Sequence, residues 1–108
     1  MERRILVIDS DATHASELQR ALESISCNVT VCGDSTRAFG MIGRHHPDLV
    51  VVVPRSPMEL ADALASVRSV VRHSERRPEF LFVLRWTSRG PAERLLGDRW
   101  NVQVIYER

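Results

Sequence analysis

Leu49-Val50-Val51-Val52-Val53 is a run of five apolar residues, four of them valine, directly after Pro47-Asp48. A strand with one solvated face alternates apolar and polar residues, whereas a strand covered on both faces reads as an unbroken β-branched run. Residues 49–53 therefore predict a central parallel strand. Ile5-Leu6-Val7-Ile8 reads the same way, and Phe80 to Leu84 gives another strand. Val29 and Val31 mark a shorter strand, and Val102 to Tyr106 a last one.

Between these runs the apolar spacing becomes helical. Ala15, Leu18, Leu22 and Ile25 form one stripe, with Ser10 or Asp11 available to cap the helix. Asp34 or Ser35 opens a second helix whose inward residues are Ala38, Phe39 and Ile42. Gly40 and Gly43 weaken that helix, and Pro47 ends it. Ser56, Pro57 and Glu59 fit a capping box with proline at the first helical position, ahead of Leu60, Leu64, Val67 and Val71. Residues from His73 to Pro78 make a polar, basic connector. Gly90 and Pro91 begin a short fourth helix through Leu96. Strands and helices thus alternate strictly, which predicts a doubly wound α/β fold of five parallel strands joined by right-handed crossovers, with helices on both faces.

The chain has 108 residues, 44% hydrophobic and 27% charged, which suits one soluble domain spanning 1–108. A formal net charge of +1 gives no electrostatic case for nucleic acid or an anionic membrane. The run Arg68, Arg72, His73, Arg76 and Arg77 is diluted by Glu75 and Glu79 and reads as a solvated helix end. No segment reaches membrane-spanning length and no signal peptide is visible. Cys27 and Cys32 are an odd number of positions apart, so they point to opposite faces and read as buried free thiols in a reducing cytoplasm. All 15 basic residues are arginine, and no lysine is present.

Function in an open parallel sheet collects beyond the carboxyl ends of the strands. Here those ends carry Asp9 and Ser10, Val53 to Arg55, Arg85 to Thr87, and Tyr106 and Glu107. The loop after the first strand, Asp9-Ser10-Asp11-Ala12-Thr13-His14, has no glycine, which excludes a phosphate cradle of the dinucleotide or P-loop kind. No Gly-x-Ser-x-Gly elbow is present, and the reading is not enzymatic. His45 and His46 end the second helix, where imidazole suits the helix dipole. His14 and His73 lie on separate helices with no cysteine or carboxylate at ligand spacing.

Taken together, Ile5 to Asp11, Pro47 to Val53 with Pro57 beyond, Trp86-Thr87-Ser88-Arg89-Gly90, and the pair Ala38-Phe39 resemble the receiver domain of bacterial response regulators over nearly the whole chain. The resemblance implies the flavodoxin-like strand order 2-1-3-4-5 and phosphoryl transfer to an aspartate at the end of the third strand. It also implies Mg²⁺ held partly by an acidic pair on the first strand, a switch threonine, and a lysine on the fifth strand. Carried over position by position, that machinery is degenerate. Val53 stands at the acceptor place, Ser10 replaces the second acid and leaves Asp9 alone, and Glu107 lies near the lysine's place. Thr87 survives as a switch element, with Arg85 a competing occupant of its position. Asp48, at the far end of the third strand, and Asp11, a helix cap, do not substitute as acceptors. A single carboxylate is a poor site for an octahedral ion, so no metal or cofactor is expected.

Arg55 and Arg85 lie near the former phosphate site, where one of them can pair with Asp9 or Glu107 and hold the surface in one state. The expectation is a pseudo-receiver in a bacterial two-component or phosphorelay pathway, cytoplasmic, binding a protein partner or output domain. The alternative is a domain sensing a small ligand or anion through Arg55 and Arg85. The patterning stops after the fifth strand, without the helix that closes a receiver. This predicts an uncovered apolar strip beside the first helix, filled by a further part of a longer regulator or by a second subunit in a homodimer. The expected contact face is the fourth helix with the fifth strand, at Leu95, Trp100, Val104 and Tyr106, together with that uncovered side.

Overall fold

The computed structural model describes residues 2–73, 78–85, 90, 94 and 102–107. The elements run β1 (Arg4–Asp9), α1 (Ala12–Glu23), β2 (Asn28–Cys32), α2 (Ser35–His45), β3 (Leu49–Val53), α3 (Pro57–His73), β4 (Glu79–Arg85) and β5 (Val102–Glu107). They form one parallel sheet in the order β2-β1-β3-β4-β5, the predicted order. The expected helix from Gly90 to Leu96 falls almost wholly outside the described residues, as do Thr87, Leu95 and Trp100.

Successive residues of a strand point to opposite faces, and two clusters divide the core accordingly. Leu6, Ile8, Val50, Val52, Phe80, Phe82 and Leu84 face α2 and α3, against Ala38, Ile42, Leu60, Leu64 and Val67. Ile5, Val7, Val51, Val53 and Val83 face α1, against Leu18 and Leu22. Residues 50–53 of the valine run are all buried, as a central strand with two covered faces requires. Phe80 is fully buried and stacks on Phe39 with ring centroids 6.5 Å apart.

Asp11 caps α1, accepting bonds from the Thr13 and His14 N–H groups, and Asp34 caps α2 through the Arg37 N–H. At the far end of α2, His46 takes the left-handed conformation, φ 48°, and returns its N–H to the Ile42 carbonyl. The helix tolerates Gly40 and Gly43 because both lie on its exposed side. At the amino end of β3, Asp48 accepts the Arg4 N–H, fixing β1 against β3.

Three expectations need correction. Ile25 is not part of the α1 stripe; the helix ends at Glu23 and Ile25 is 68% exposed. The two cysteines lie in opposite clusters, but they are half-buried, not buried. The open apolar strip beside α1 is small among the described residues. Val51, Val53 and Val83 are buried there, Leu49 and Leu81 half-buried, and Ile105 stands out at 48% exposure.

Candidate functional site

The period of two that sorts the core also places the site. Asp9 continues the face of Ile5 and Val7, Val53 continues that of Val51, and Glu107 continues that of Ile105. Asp9 and Val53 are register partners on adjacent strands. All three therefore meet at the carboxyl end of the sheet, under the first turn of α1.

Asp9 is the buried charged residue of the described core. Its Oδ1 accepts the Asp11 N–H at 2.9 Å, Arg55 Nε at 3.2 Å and an Arg55 terminal nitrogen at 2.7 Å. Its Oδ2 accepts the same terminal nitrogen at 2.8 Å and His14 Nδ1 in a very short contact. An ionised carboxylate only accepts, so Nδ1 carries the proton. Burial pushes the Asp9 carboxyl upward, but the bonds from Arg55, His14 and the Asp11 N–H, with the charge of Arg55, outweigh it. The net direction is below the ordinary carboxylate range.

Local sequence puts Arg55 in place. The Ser56 hydroxyl accepts the Glu59 N–H at 3.1 Å, as a capping box predicts. The return bond departs from that motif: the Glu59 carboxylate reaches one residue further back, to the Arg55 N–H, at 2.8 Å. That bond fixes the backbone from which the guanidinium turns onto Asp9.

His14 extends the network. Its Nε2 lies 3.4 Å from Glu107 Oε2, a contact that becomes an ion pair when the ring holds both protons. With β3 and β4 between them, the β1 and β5 backbones are roughly 14 Å apart at about 4.8 Å per strand. His14 thus links two strand ends that no backbone pairing joins. The sequence reading missed this role and gave His14 no carboxylate neighbour. The available signal was its position five residues after Asp9, in the first turn of a helix that starts beside a strand end.

The remaining sequence-predicted residues separate. Ser10 is exposed and faces away from Asp9. It borders a crevice of about 30 Å³ with Gly33, Pro54 and Glu59, room for no more than a water or two. Arg85 closes β4 as the register partner of Glu107, and its side chain is outside the described residues. Val104 and Tyr106 are half-buried against the α2–α3 side of the sheet. A larger groove, about 270 Å³, lies at the opposite end, lined by Arg4, Met41, Arg44 and His45, far from Asp9.

The Mg²⁺ that the receiver resemblance implies does not fit this arrangement. Mg²⁺ demands near-octahedral oxygen ligands with several waters. Here the Asp9 side chain has no solvent exposure, both of its oxygens are taken by nitrogen donors, and one of those donors already carries a full positive charge. No group of three or more His, Cys, Asp or Glu residues able to hold a metal ion occurs among the described residues.

No protein-family model and no curated relative matches the chain. Solved structures do match, with receiver domains prominent among them. A receiver domain from Methylobacillus flagellatus is 16% identical with a TM-score of 0.74, over 100% of this chain and 87% of that one. A sensor protein from Polaromonas sp. JS666 is 20% identical with a TM-score of 0.79, over 100% and 85%. The anti-anti-sigma factor PhyR from Bartonella quintana is 17% identical with a TM-score of 0.68, over 99% of this chain and 42% of that one. At these identities the likeness defines the fold, and the fold is that of the CheY-like response-regulator receiver. No helix among the described residues is long and apolar enough to cross a membrane.

Proposed function

We propose that this chain is a pseudo-receiver in bacterial signal transduction, acting through protein contact and not through phosphoryl transfer. The observation that carries this reading is the register pairing of Asp9 with Val53. The side chain beside the buried Asp9 carboxylate is a valine, which has no oxygen to form an acyl phosphate. With no phosphate to relay, output depends on the presence and concentration of a partner protein or attached output domain. The contact face is the one that includes Val104 and Tyr106 on β5, supplemented by the α1 side of the sheet near Ile105.

Ligand or anion sensing through Arg55 is disfavoured physically. The guanidinium is already committed to Asp9, and the neighbouring crevice is too small for a metabolite. The fold's occurrence in an anti-anti-sigma factor fits a role exercised by binding a protein.

The test is direct. Incubating the chain with acetyl phosphate and Mg²⁺ is expected to add no phosphoryl mass, and beryllofluoride to leave the amide spectrum unchanged. A phosphorylated species, or beryllofluoride shifts centred on Asp9, refutes the reading.

A further inference from the structure

We infer that Arg55 is a resident cation, a side chain that permanently fills the place a divalent metal takes in the fold family, so that the site is set without metal. The inference rests on the pseudo-receiver reading and goes beyond it. Loss of an acceptor does not by itself say what compensates the carboxylate left behind.

A buried carboxylate needs a positive partner, because an isolated ion away from water is strongly disfavoured. In this chain the partner is covalently attached. Arg55 meets Asp9 through Nε and one terminal nitrogen, with contacts of 3.2, 2.7 and 2.8 Å to the two carboxylate oxygens. A guanidinium suits this position better than an ammonium, since its planar fork contacts both oxygens at once and it never loses its charge. Its backbone is pinned by Glu59, so the cation is delivered from the loop after β3 in a fixed orientation. The other face of the same carboxylate is closed by His14 and the Asp11 N–H. A tethered cation cannot diffuse away, whereas Mg²⁺ occupancy varies with concentration, so the geometry of the Asp9 site becomes independent of the ionic medium. Through His14 and Glu107, the same fixed geometry reaches the end of β5.

The experiment measures thermal unfolding of the whole chain as wild type, Arg55→Ala and Arg55→Lys, each in EDTA and in millimolar Mg²⁺ or Mn²⁺. The wild-type midpoint is expected to be the same with and without metal. Arg55→Ala is expected to lose on the order of 10 °C and to regain part of it when Mn²⁺ is added, because the exposed carboxylate now takes an external cation. Arg55→Lys keeps a charge in place and is expected to remain indifferent to metal. A wild type stabilised by metal overturns the inference, and so does an Arg55→Ala chain that loses stability without any metal response. If Arg55→Ala does not fold, Mn²⁺ broadening of wild-type amides decides the matter. Broadening at Asp9, Asp11 and His14 overturns the inference, and unbroadened signals support it. Phosphorylation of the wild type by acetyl phosphate refutes the functional reading separately, whatever the metal response.

Discussion

Replacing Arg55 with methionine keeps much of the aliphatic stem and removes the charge beside Asp9. Breaking a fully buried ion pair by deleting one partner costs about 3–5 kcal/mol. Two features reduce that figure here. The Arg55 side chain is 26% exposed, so water can enter the vacated space. Asp9 also keeps its bonds from His14 and the Asp11 N–H. A loss of about 2–3 kcal/mol is expected, equivalent to roughly 10–20 °C in the unfolding midpoint of a domain this size. Asp9→Asn is expected to lose less, because the released guanidinium can turn to solvent. The double variant should lose less than the sum of the two, with a coupling of about 1–2 kcal/mol. Urea unfolding followed by circular dichroism measures all four corners of the cycle.

Acid supplies a second arm to the same experiment. The folded-state pKa of Asp9 lies below its ordinary value of 3.8. The unfolded chain therefore binds the proton more readily than the folded one. The stabilisation is fully present well above 3.8 and is lost as pH falls below it, through the folded value. The gap between wild type and Arg55→Met should hold near neutrality and close in acid. A coupling under about 0.5 kcal/mol, or a gap that does not narrow in acid, refutes the claim that this pair orders the site.

Gly40→Ala should stabilise the chain by about 0.5–1 kcal/mol, since a Cβ at that mid-helix position meets nothing within 4 Å; a loss in urea unfolding would refute the placement of that helix face. Phe80→Ala should cost about 3–5 kcal/mol, because its ring is fully buried and stacked on Phe39; a loss under about 1 kcal/mol would contradict a core centred on β4.

The strand order came with the resemblance, while the parallel strands, the two-faced burial of residues 50–53 and the helix starts, at Ser10 or Asp11, at Asp34 or Ser35 and at Ser56, were legible in the sequence. Each rests on local chemistry: an unbroken apolar run, a side chain able to cap N–H groups, or a proline at the first helical position. The absence of an acidic residue at Val53 was legible too, because it requires only alignment of one strand. Ile25 misled because it keeps the apolar spacing of α1 while lying beyond the helix end, and spacing alone does not locate a terminus.

The partners of Asp9 were decided by tertiary structure. The sequence offered Arg55 and Arg85 as alternatives, and only the turn between β3 and α3, with Glu59 holding the Arg55 N–H, brings the Arg55 guanidinium onto the carboxylate. His14 could not be read as a link to Glu107, because they are 93 positions apart in sequence. They meet only once the sheet brings the end of β5 beneath α1. Periodicity fixes which face a residue takes within its own element, since that is set by backbone geometry over a few residues. Which side chains meet across a sheet depends on register and on the path of loops, and these exist only when the whole chain has folded.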